Sequence, residues 1–196
     1  MKRRLAVSGV CMAPWLLAAC ASNPVATRWY ELRGEPPGPK PAPRPGDSAL
    51  WEVSGAVTLP GALDRDTLMV SSGAAGLQAL AGPRWAEPLR DSIPRLLLAD
   101  LGALRGEGLV WPAPAPAGVN VTRRLRVDIT ALIADAQRGS LQLQARWWLT
   151  DAGPNAAPPA IGNADLRVPV ADPSVDALAA AHRMALWQLA TRIATA

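Results

Sequence analysis

The sequence predicts an α/β fold: a single layered domain with a mixed, mostly antiparallel sheet and two main helices. Apolar and polar residues alternate over 124–130 and 141–149, which is the period of two expected of half-buried strands. Apolar stripes at helical spacing lie near 86–105 and 174–194. The roughly 177 residues after position 19 suit one domain with a sizeable core. Strands combined with two substantial helices are typical of layered α/β domains.

Residues 1–19 have the three regions of a secretory signal: a cationic start, a short apolar run and small residues before a cleavage point. The apolar run is too short to span a bilayer, which takes about 20 residues, and Pro14 interrupts it. Leu17-Ala18-Ala19-Cys20 resembles a bacterial lipobox. In that interpretation the Cys20 thiol receives a diacylglyceryl group, and the new amino terminus is acylated after cleavage. Residues 20–28 then form a lipidated, short tether.

An ordinary secretory signal is the alternative, because Ala19-Cys20-Ala21 also fits a small-x-small cleavage site that would release a soluble protein. The other cysteine, Cys11, lies in the segment to be removed, so the mature chain has no internal disulfide. No aspartate follows Cys20, which favours the periplasmic face of the outer membrane over retention at the inner membrane. No later apolar stretch is long enough to span a bilayer, so we expect the lipid to be the membrane attachment and expect no other cofactor.

The net charge of the mature chain gives no reason to expect nucleic-acid binding. Three of the 20 basic residues lie within 1–19 and none of the 16 acidic residues does, which leaves 17 against 16. A nearly neutral chain lacks the basic excess that binds phosphate backbones.

The predicted domain, 29–196, begins with a short strand at Trp29–Leu32. A proline-rich segment, 34–46, follows and should be extended. It is either a tether that ends before the domain or a loop between two of its strands. Alternation then predicts a strand over 51–59.

A connection and a second strand follow, at Leu63–Asp66 and Thr67–Ser71. Asp64 and Asp66 are a close carboxylate pair, but Arg65 lies between them, which favours a solvated turn over acid–base chemistry.

The first predicted helix contains Pro94, which removes a hydrogen bond inside a helix. Either the helix begins at Ser92 as N-cap, or one kinked helix runs through; we favour the second. Later elements are a short strand at 108–111, the two long strands as an antiparallel pair, a loop over 151–163, a strand over 166–170 and a helix that begins near Ser174.

Candidate catalytic groups are few, so the sequence argues against an enzyme. His182 is the only histidine, and it lies between Leu178 and Leu186 on the apolar stripe of a helix, which favours a packing role. Without a second histidine or a free cysteine, we expect no zinc or copper site. Ser71 and Ser72 match no nucleophile motif, and no glycine run matches a phosphate-binding loop.

Trp147 and Trp148 are adjacent on a predicted strand, so their side chains must point to opposite faces of the sheet. Exposed tryptophan is a frequent interface anchor. Trp148 is therefore a candidate partner contact, and the alternative is burial of both rings beneath helices.

Several segments resemble the PqiC/YmbA-type auxiliary lipoproteins of ABC transport systems. The most specific is Arg84-Trp85-Ala86-Glu87-Pro88-Leu89, and Trp29-Tyr30-Glu31-Leu32 matches the first strand of that family. The remaining matches are Leu59-Pro60, Leu63-Asp64-Arg65, Trp111-Pro112, Arg126-Val127-Asp128 and the strand over 143–147. The resemblance implies an anticodon-binding-domain-like fold, in which the proline-rich segment is a loop inside the domain.

The resemblance also implies a function: a non-enzymatic, outer-membrane lipoprotein that works beside an MCE-domain protein, docks the lipid conduit to the outer membrane and supports envelope integrity. A homo-oligomer is also compatible with it. Arg84 and Trp85 become further candidate partner contacts, although a fold signature at a helix start explains that block equally well. Two other function classes stay open: a lipid-binding carrier, which needs an apolar cavity, and a hydrolase with a polar site around His182.

Overall fold

The computed structural model describes residues 25–32, 35–40, 42, 48–154 and 156–196, and these form eight strands and two helices. The helices are α1 (Leu89–Arg105) and α2 (Val175–Ala194). The strands are β1 (Arg28–Tyr30), β2 (Trp51–Val53), β3 (Thr67–Ser72), β4 (Gly76–Trp85), β5 (Val110–Pro112), β6 (Arg123–Ala134), β7 (Ser140–Asp151) and β8 (Ala160–Pro169). The signal segment, Cys20 and part of the proline-rich segment lie outside the described residues.

Strand β6 is the centre of a single mixed sheet. One of its edges pairs along its full length with β7, which pairs in turn with β8, and both ladders are antiparallel. The other edge is shared by β2, a bridge from Thr58 to Asp128, and β3, all of them parallel to β6. Beyond these, β5 pairs with β2, β4 pairs with β3, and β1 pairs with β4. The predicted α/β fold class is confirmed, and most paired residues belong to the antiparallel ladders.

A bulge keeps the apolar side chains of β6 on one face. Leu125, Val127 and Ile129 alternate with polar residues and are buried. The register shifts between Ile129 and Ala131, and the buried positions then become Leu132 and Ala134. One extra residue in a strand reverses the phase of the alternation, so the whole strand contributes to the same core.

Both helices lie on this buried face. Helix α2 packs on β7 and β8, and α1 packs against α2. The start of α2 is set by Ser174, whose hydroxyl accepts a hydrogen bond from the Ala177 amide at 3.1 Å, as an N-cap does. The opposite face of the long strands carries polar side chains.

One strand was not predicted from the sequence, and the predicted ends of others were wrong. Strand β4 was not predicted, because Gly76–Trp85 contains no β-branched residue and two glycines; pairing with β3 and β1 decides its conformation. The strand predicted over 51–59 ends at Val53, where the Ser54 hydroxyl bonds the backbone of Ala56 and turns the chain. The last strand begins at Ala160, inside the predicted loop.

Pro94 lies inside one continuous helix that begins after Pro88. Ser92 is not the N-cap; it is buried in the second turn, and its hydroxyl donates to the Pro88 carbonyl at 3.4 Å. The prediction of a single helix running through Pro94 is confirmed.

A buried ion pair joins the two helices. The Arg183 guanidinium on α2 donates to both carboxylate oxygens of Asp100 on α1, at 2.8 and 2.6 Å. Both side chains are almost fully inaccessible. Burial raises the pKa of the Asp100 carboxyl, and Arg183 acts in the opposite direction by stabilising the carboxylate.

Removal of the Asp100 charge should strongly destabilise the domain. We expect Asp100→Asn to lower the free energy of unfolding by about 3–5 kcal/mol, because a buried guanidinium loses its carboxylate. The matched control is Asp64→Asn, which breaks the exposed 2.9 Å pair with Arg90 and should cost at most about 1 kcal/mol. Urea denaturation of both variants measures the difference, and equal losses would contradict a special role for the buried pair.

The glycine at position 162 makes room for a core tryptophan. Trp147 on β7 lies opposite Gly162 on β8, and a Cβ atom on Gly162 would lie 2.1 Å from the indole ring. Trp147 is buried, so its ring has no open space to move into.

We expect Gly162→Ala to lower the free energy of unfolding by about 1–3 kcal/mol through overpacking. The control is Gly102→Ala in α1, where a Cβ would meet nothing within 4 Å. That substitution should stabilise the domain by about 0.5–1 kcal/mol, since alanine favours the helix. Thermal or urea denaturation distinguishes the two signs, and a neutral Gly162→Ala variant would show that the core repacks freely.

Candidate functional site

The uncovered face of the sheet contains a groove centred on Trp148. Two adjoining depressions, of about 660 and 290 Å³, share Trp148 and Asp128 in their walls. We call the combined depression the Trp148 groove. Its polar lining comes from β2, β6, β7 and β8: Glu52, Ser54, Arg124, Arg126, Asp128, Thr130, Gln144, Arg146, Thr150, Asn163 and Asp165.

The strand register builds the centre of the groove. Trp148 on β7 lies between Arg126 on β6 and Ile161 on β8. The Arg126 guanidinium carbon lies 5.9 Å from the centre of the Trp148 ring, within the range of a cation–π contact. Trp148 is half-buried and Ile161 is 64% exposed, so an apolar strip crosses two strands within a polar surface.

Opposite charges alternate around this strip. The Arg124 Nε lies 3.3 Å from a Glu52 oxygen, and the Arg126 Nε lies 3.4 Å from an Asp128 oxygen. Both arginine side chains are about two-thirds exposed, and exposed pairs contribute little to stability. Their guanidinium groups are therefore accessible to the carboxylates of a ligand, while Glu52 and Asp128, at 17% and 23% exposure, belong to the wall of the groove.

Glu52 also holds the rim of the groove. Its second carboxylate oxygen accepts a hydrogen bond from the Ala115 amide at 3.0 Å, which ties the loop after β5 to β2. On the opposite side, Asp165 accepts hydrogen bonds from the Gln142 and Gln144 side-chain amides at 3.1 and 3.2 Å. These bonds hold the pKa of the Asp165 carboxyl below its usual value, the Gln142 bond having the largest effect.

Of the candidate partner contacts, Trp148 lies in this groove, while Arg84 and Trp85 lie elsewhere. Trp147 is in the core, so the two adjacent tryptophans do point to opposite faces. Arg84 is half-buried and donates to the Pro83 carbonyl at 3.0 Å. The Trp85 ring is buried, 3% exposed, and has no surface to offer a partner. Residues 84 and 85 pair with β1 just before α1, so this block has a role in the fold.

His182 is a core residue. Its Nδ1 donates to the Leu178 carbonyl at 2.8 Å, and its ring meets the edge of Trp85 with centroids 5.1 Å apart. Burial lowers the pKa of His182 to about 4. The imidazole is thus neutral, enclosed and remote from the Trp148 groove, on the other side of the sheet.

The groove has the character of a binding surface. Among the residues that the structure describes, no group of three or more His, Cys, Asp and Glu side chains is placed to bind a metal ion. No helix in the same ranges is long and apolar enough to cross a membrane. The wall of the groove is charged at Glu52, Arg124, Arg126 and Asp128, which does not suit an acyl chain.

Sequence reasoning found Trp148 and missed most of its neighbours. The alternation of polar and apolar residues in each strand shows only that Glu52, Arg124 and Arg126 face solvent. It does not show that they lie together. Their meeting depends on the register between β2, β6 and β7.

A model of the family described as ABC-type transport auxiliary lipoprotein component matches residues 30–194. The chain belongs to this family. A search of curated proteins found no match. Membership confirms the resemblance to PqiC/YmbA-type proteins and gives the chain an auxiliary role in a transport-associated system. It favours a non-enzymatic role and an envelope location.

Solved structures share the fold of this family member. A crystal structure of an uncharacterised protein matches with a TM-score of 0.67 at 18% identity, covering 87% of this chain and 97% of that chain. Protein XCC0632 from Xanthomonas campestris, described by the family model DUF330, matches with a TM-score of 0.66 at 18% identity, covering 86% and 93%. At such identities the likeness shows the fold alone.

The buried imidazole predicts a pH dependence of stability. The pKa of His182 is about 4 in the fold, below its ordinary value of 6.5, so the unfolded chain binds an extra proton between these values. The stabilisation is complete above pH 6.5 and is lost as the pH falls through 4. We expect the free energy of unfolding to decrease by roughly 3 kcal/mol from pH 7 to pH 4 through this group.

Urea denaturation across that pH range tests this expectation. His182→Leu, which does not titrate, should lose most of the pH dependence whatever its stability at pH 7. An unchanged slope in that variant would assign the pH dependence to other groups.

Proposed function

We propose that the protein is a non-enzymatic, lipid-anchored subunit of an MCE-type ABC lipid transport system. It is attached to the periplasmic face of the outer membrane through acyl chains on Cys20. It docks the MCE-domain conduit to that membrane through the Trp148 groove and so supports envelope integrity. The observation that carries the proposal is the half-buried Trp148 in a charged groove on the helix-free face of the sheet.

Family membership supports the transport context, and the geometry supports docking. The Trp148 ring is an apolar anchor, and the exposed arginine side chains beside it form a polar rim. Protein interfaces commonly have this arrangement. The groove contains both signs of charge, with arginines at 124, 126 and 146 and carboxylates at 52, 128 and 165. Such a surface suits a protein partner of mixed charge better than a uniformly anionic polymer.

The lipid anchor supports the placement of the domain. Only residues 21–24 lie between Cys20 and the first described residue, Val25, so an anchored domain is held close to the membrane. The docking face must then receive a partner that reaches the membrane from the periplasm.

Removal of the Trp148 ring should weaken partner binding without unfolding the domain. We expect Trp148→Ala to lower the affinity by about 2 kcal/mol, or roughly 30-fold, as for a central interface residue. The measurement is quantitative pull-down of the MCE-domain partner from solubilised envelope membranes by the tagged, lipidated protein. Trp29→Ala is the matched control, because it removes an exposed tryptophan from a strand outside the groove, and the solubilised extract contains no bilayer for it to contact.

Three outcomes would count against this proposal. If the lipidated wild-type protein recovers no MCE-domain protein, the proposed partner is wrong. If Trp29→Ala and Trp148→Ala lower the affinity for the partner equally, the Trp148 groove is not the docking site. Absence of acyl groups from Cys20 in the mature protein would contradict the lipid anchor. Two differently tagged copies in the same experiment test the predicted self-association.

A further inference from the structure

The β3–β4 hairpin is an exposed part of the described chain that has no charged side chain near its tip. Residues 70–83 contain no charged side chain, and we call this stretch the apolar hairpin. Every residue from 72 to 79 is exposed, including Leu77 at 48%.

Exposed apolar side chains collect at this edge of the sheet. Four large hydrophobic residues are strongly exposed among the described residues. Leu77 lies on β4, Trp29 lies on β1, which pairs with β4, and Val25 lies three residues before β1. The fourth, Ile161, belongs to the rim of the Trp148 groove. Tryptophan is favoured at the boundary between water and lipid, because its ring is apolar and its N–H is polar.

The chain enters the domain beside this hairpin. Strand β1 runs parallel to β4, with Arg28 opposite Pro83, so the chain enters β1 from the hairpin end of β4. Val25 reaches Gly82, where a Cβ atom would lie 2.9 Å from the Val25 Cγ1. The N-terminal end of the described chain therefore lies beside Gly82, at the base of the hairpin.

The chain from Val25 to Cys20 can reach about as far as the hairpin extends beyond Gly82. Five residues separate Cys20 from Val25 and span at most about 18 Å. Five residues also separate Leu77 from Gly82, which is at most about 18 Å of chain, and the bulge of β4 between Ala79 and Arg84 makes the actual distance shorter. A bilayer that holds the acyl chains of Cys20 thus lies within reach of the hairpin tip.

We infer that the apolar hairpin, with Trp29 and Val25 beside it, is a second membrane contact, which sets the orientation of the domain on the lipid surface. This inference rests on the lipid anchor of the proposed function. The lipid surface, not a second protein, is the occupant, because Val25 lies beside this edge and only five positions after the lipid-bearing Cys20. A single attachment point leaves a domain free to rotate; a second contact fixes which face is directed away from the membrane.

The contact is confined to the interfacial zone of the bilayer. A two-stranded hairpin has unpaired backbone groups along its edges, and these cannot be left in hydrocarbon. The neighbouring β6–β7 turn lies at the same end of the sheet, since Val70 pairs with Ala134, and it carries Asp135 and Arg138. The hairpin tip therefore lies among the headgroups, where its backbone stays hydrated.

The experiment uses the mature, lipidated protein in vesicles of phosphatidylethanolamine and phosphatidylglycerol. Leu77→Cys introduces a thiol for an environment-sensitive NBD label, because the Cys20 sulfur is blocked by lipid. Ala157→Cys is the matched control; it is exposed on the β7–β8 loop, at the opposite end of the long strands. A nitroxide attached to lipid near the headgroup serves as the quencher.

We expect the Leu77 label to shift to the blue, brighten several-fold in vesicles and be quenched by the lipid nitroxide, while the Ala157 label stays as in water. A Leu77 label that remains water-like on protein that floats with vesicles would overturn the inference and leave the anchor intact. A blue shift without quenching would indicate a contact between copies and would also overturn it. Protein that fails to float would remove the anchor and this inference together.

Discussion

The structure depends on one strand whose two edges are both used. Strand β6 is 12 residues long, and β7 occupies one edge completely, while short parallel partners at positions 51–53, 58 and 70 share the other. Because those partners come from distant parts of the chain, β6 brings the N-terminal half of the domain to its C-terminal half. The bulge after Ile129 then keeps both ends of β6 facing the same core. The remaining elements are arranged around this strand.

The two faces of the sheet have different roles: the inner face stabilises the fold, and the outer face is available for binding. Its inner face holds Trp147, the helices and the Asp100–Arg183 pair, all withdrawn from water. Its outer face holds Trp148, whose ring is only partly covered. Alternation along β7 puts two adjacent tryptophans in these different environments, so one stabilises the fold and the other is available to a partner.

The long, strongly patterned elements could be predicted, and the weakly patterned ones could not. Strands β6 and β7 and helix α2 show a clear period and clear ends, so their own residues decide their conformation. Strand β4 has glycine, alanine and proline where a strand usually has branched residues, and it is a strand because β1 and β3 pair with it. Within the site, Trp148 could be found from its neighbour Trp147. The arginines and Glu52 around it could not, since they converge only through inter-strand register.

By itself the sequence determined the fold class, the family and the packing role of His182, because each follows from local periodicity or from a recognisable motif. It favoured one helix through Pro94 over a helix start at Ser92, and the structure decided between them. The tertiary structure alone decided that Trp85 is enclosed, that Asp100 meets Arg183 across 83 positions, and that Arg126 lies beside Trp148. Such contacts depend on which elements become neighbours. Burial of the whole hydrophobic core decides which elements become neighbours, so the pattern of a single segment does not predict them.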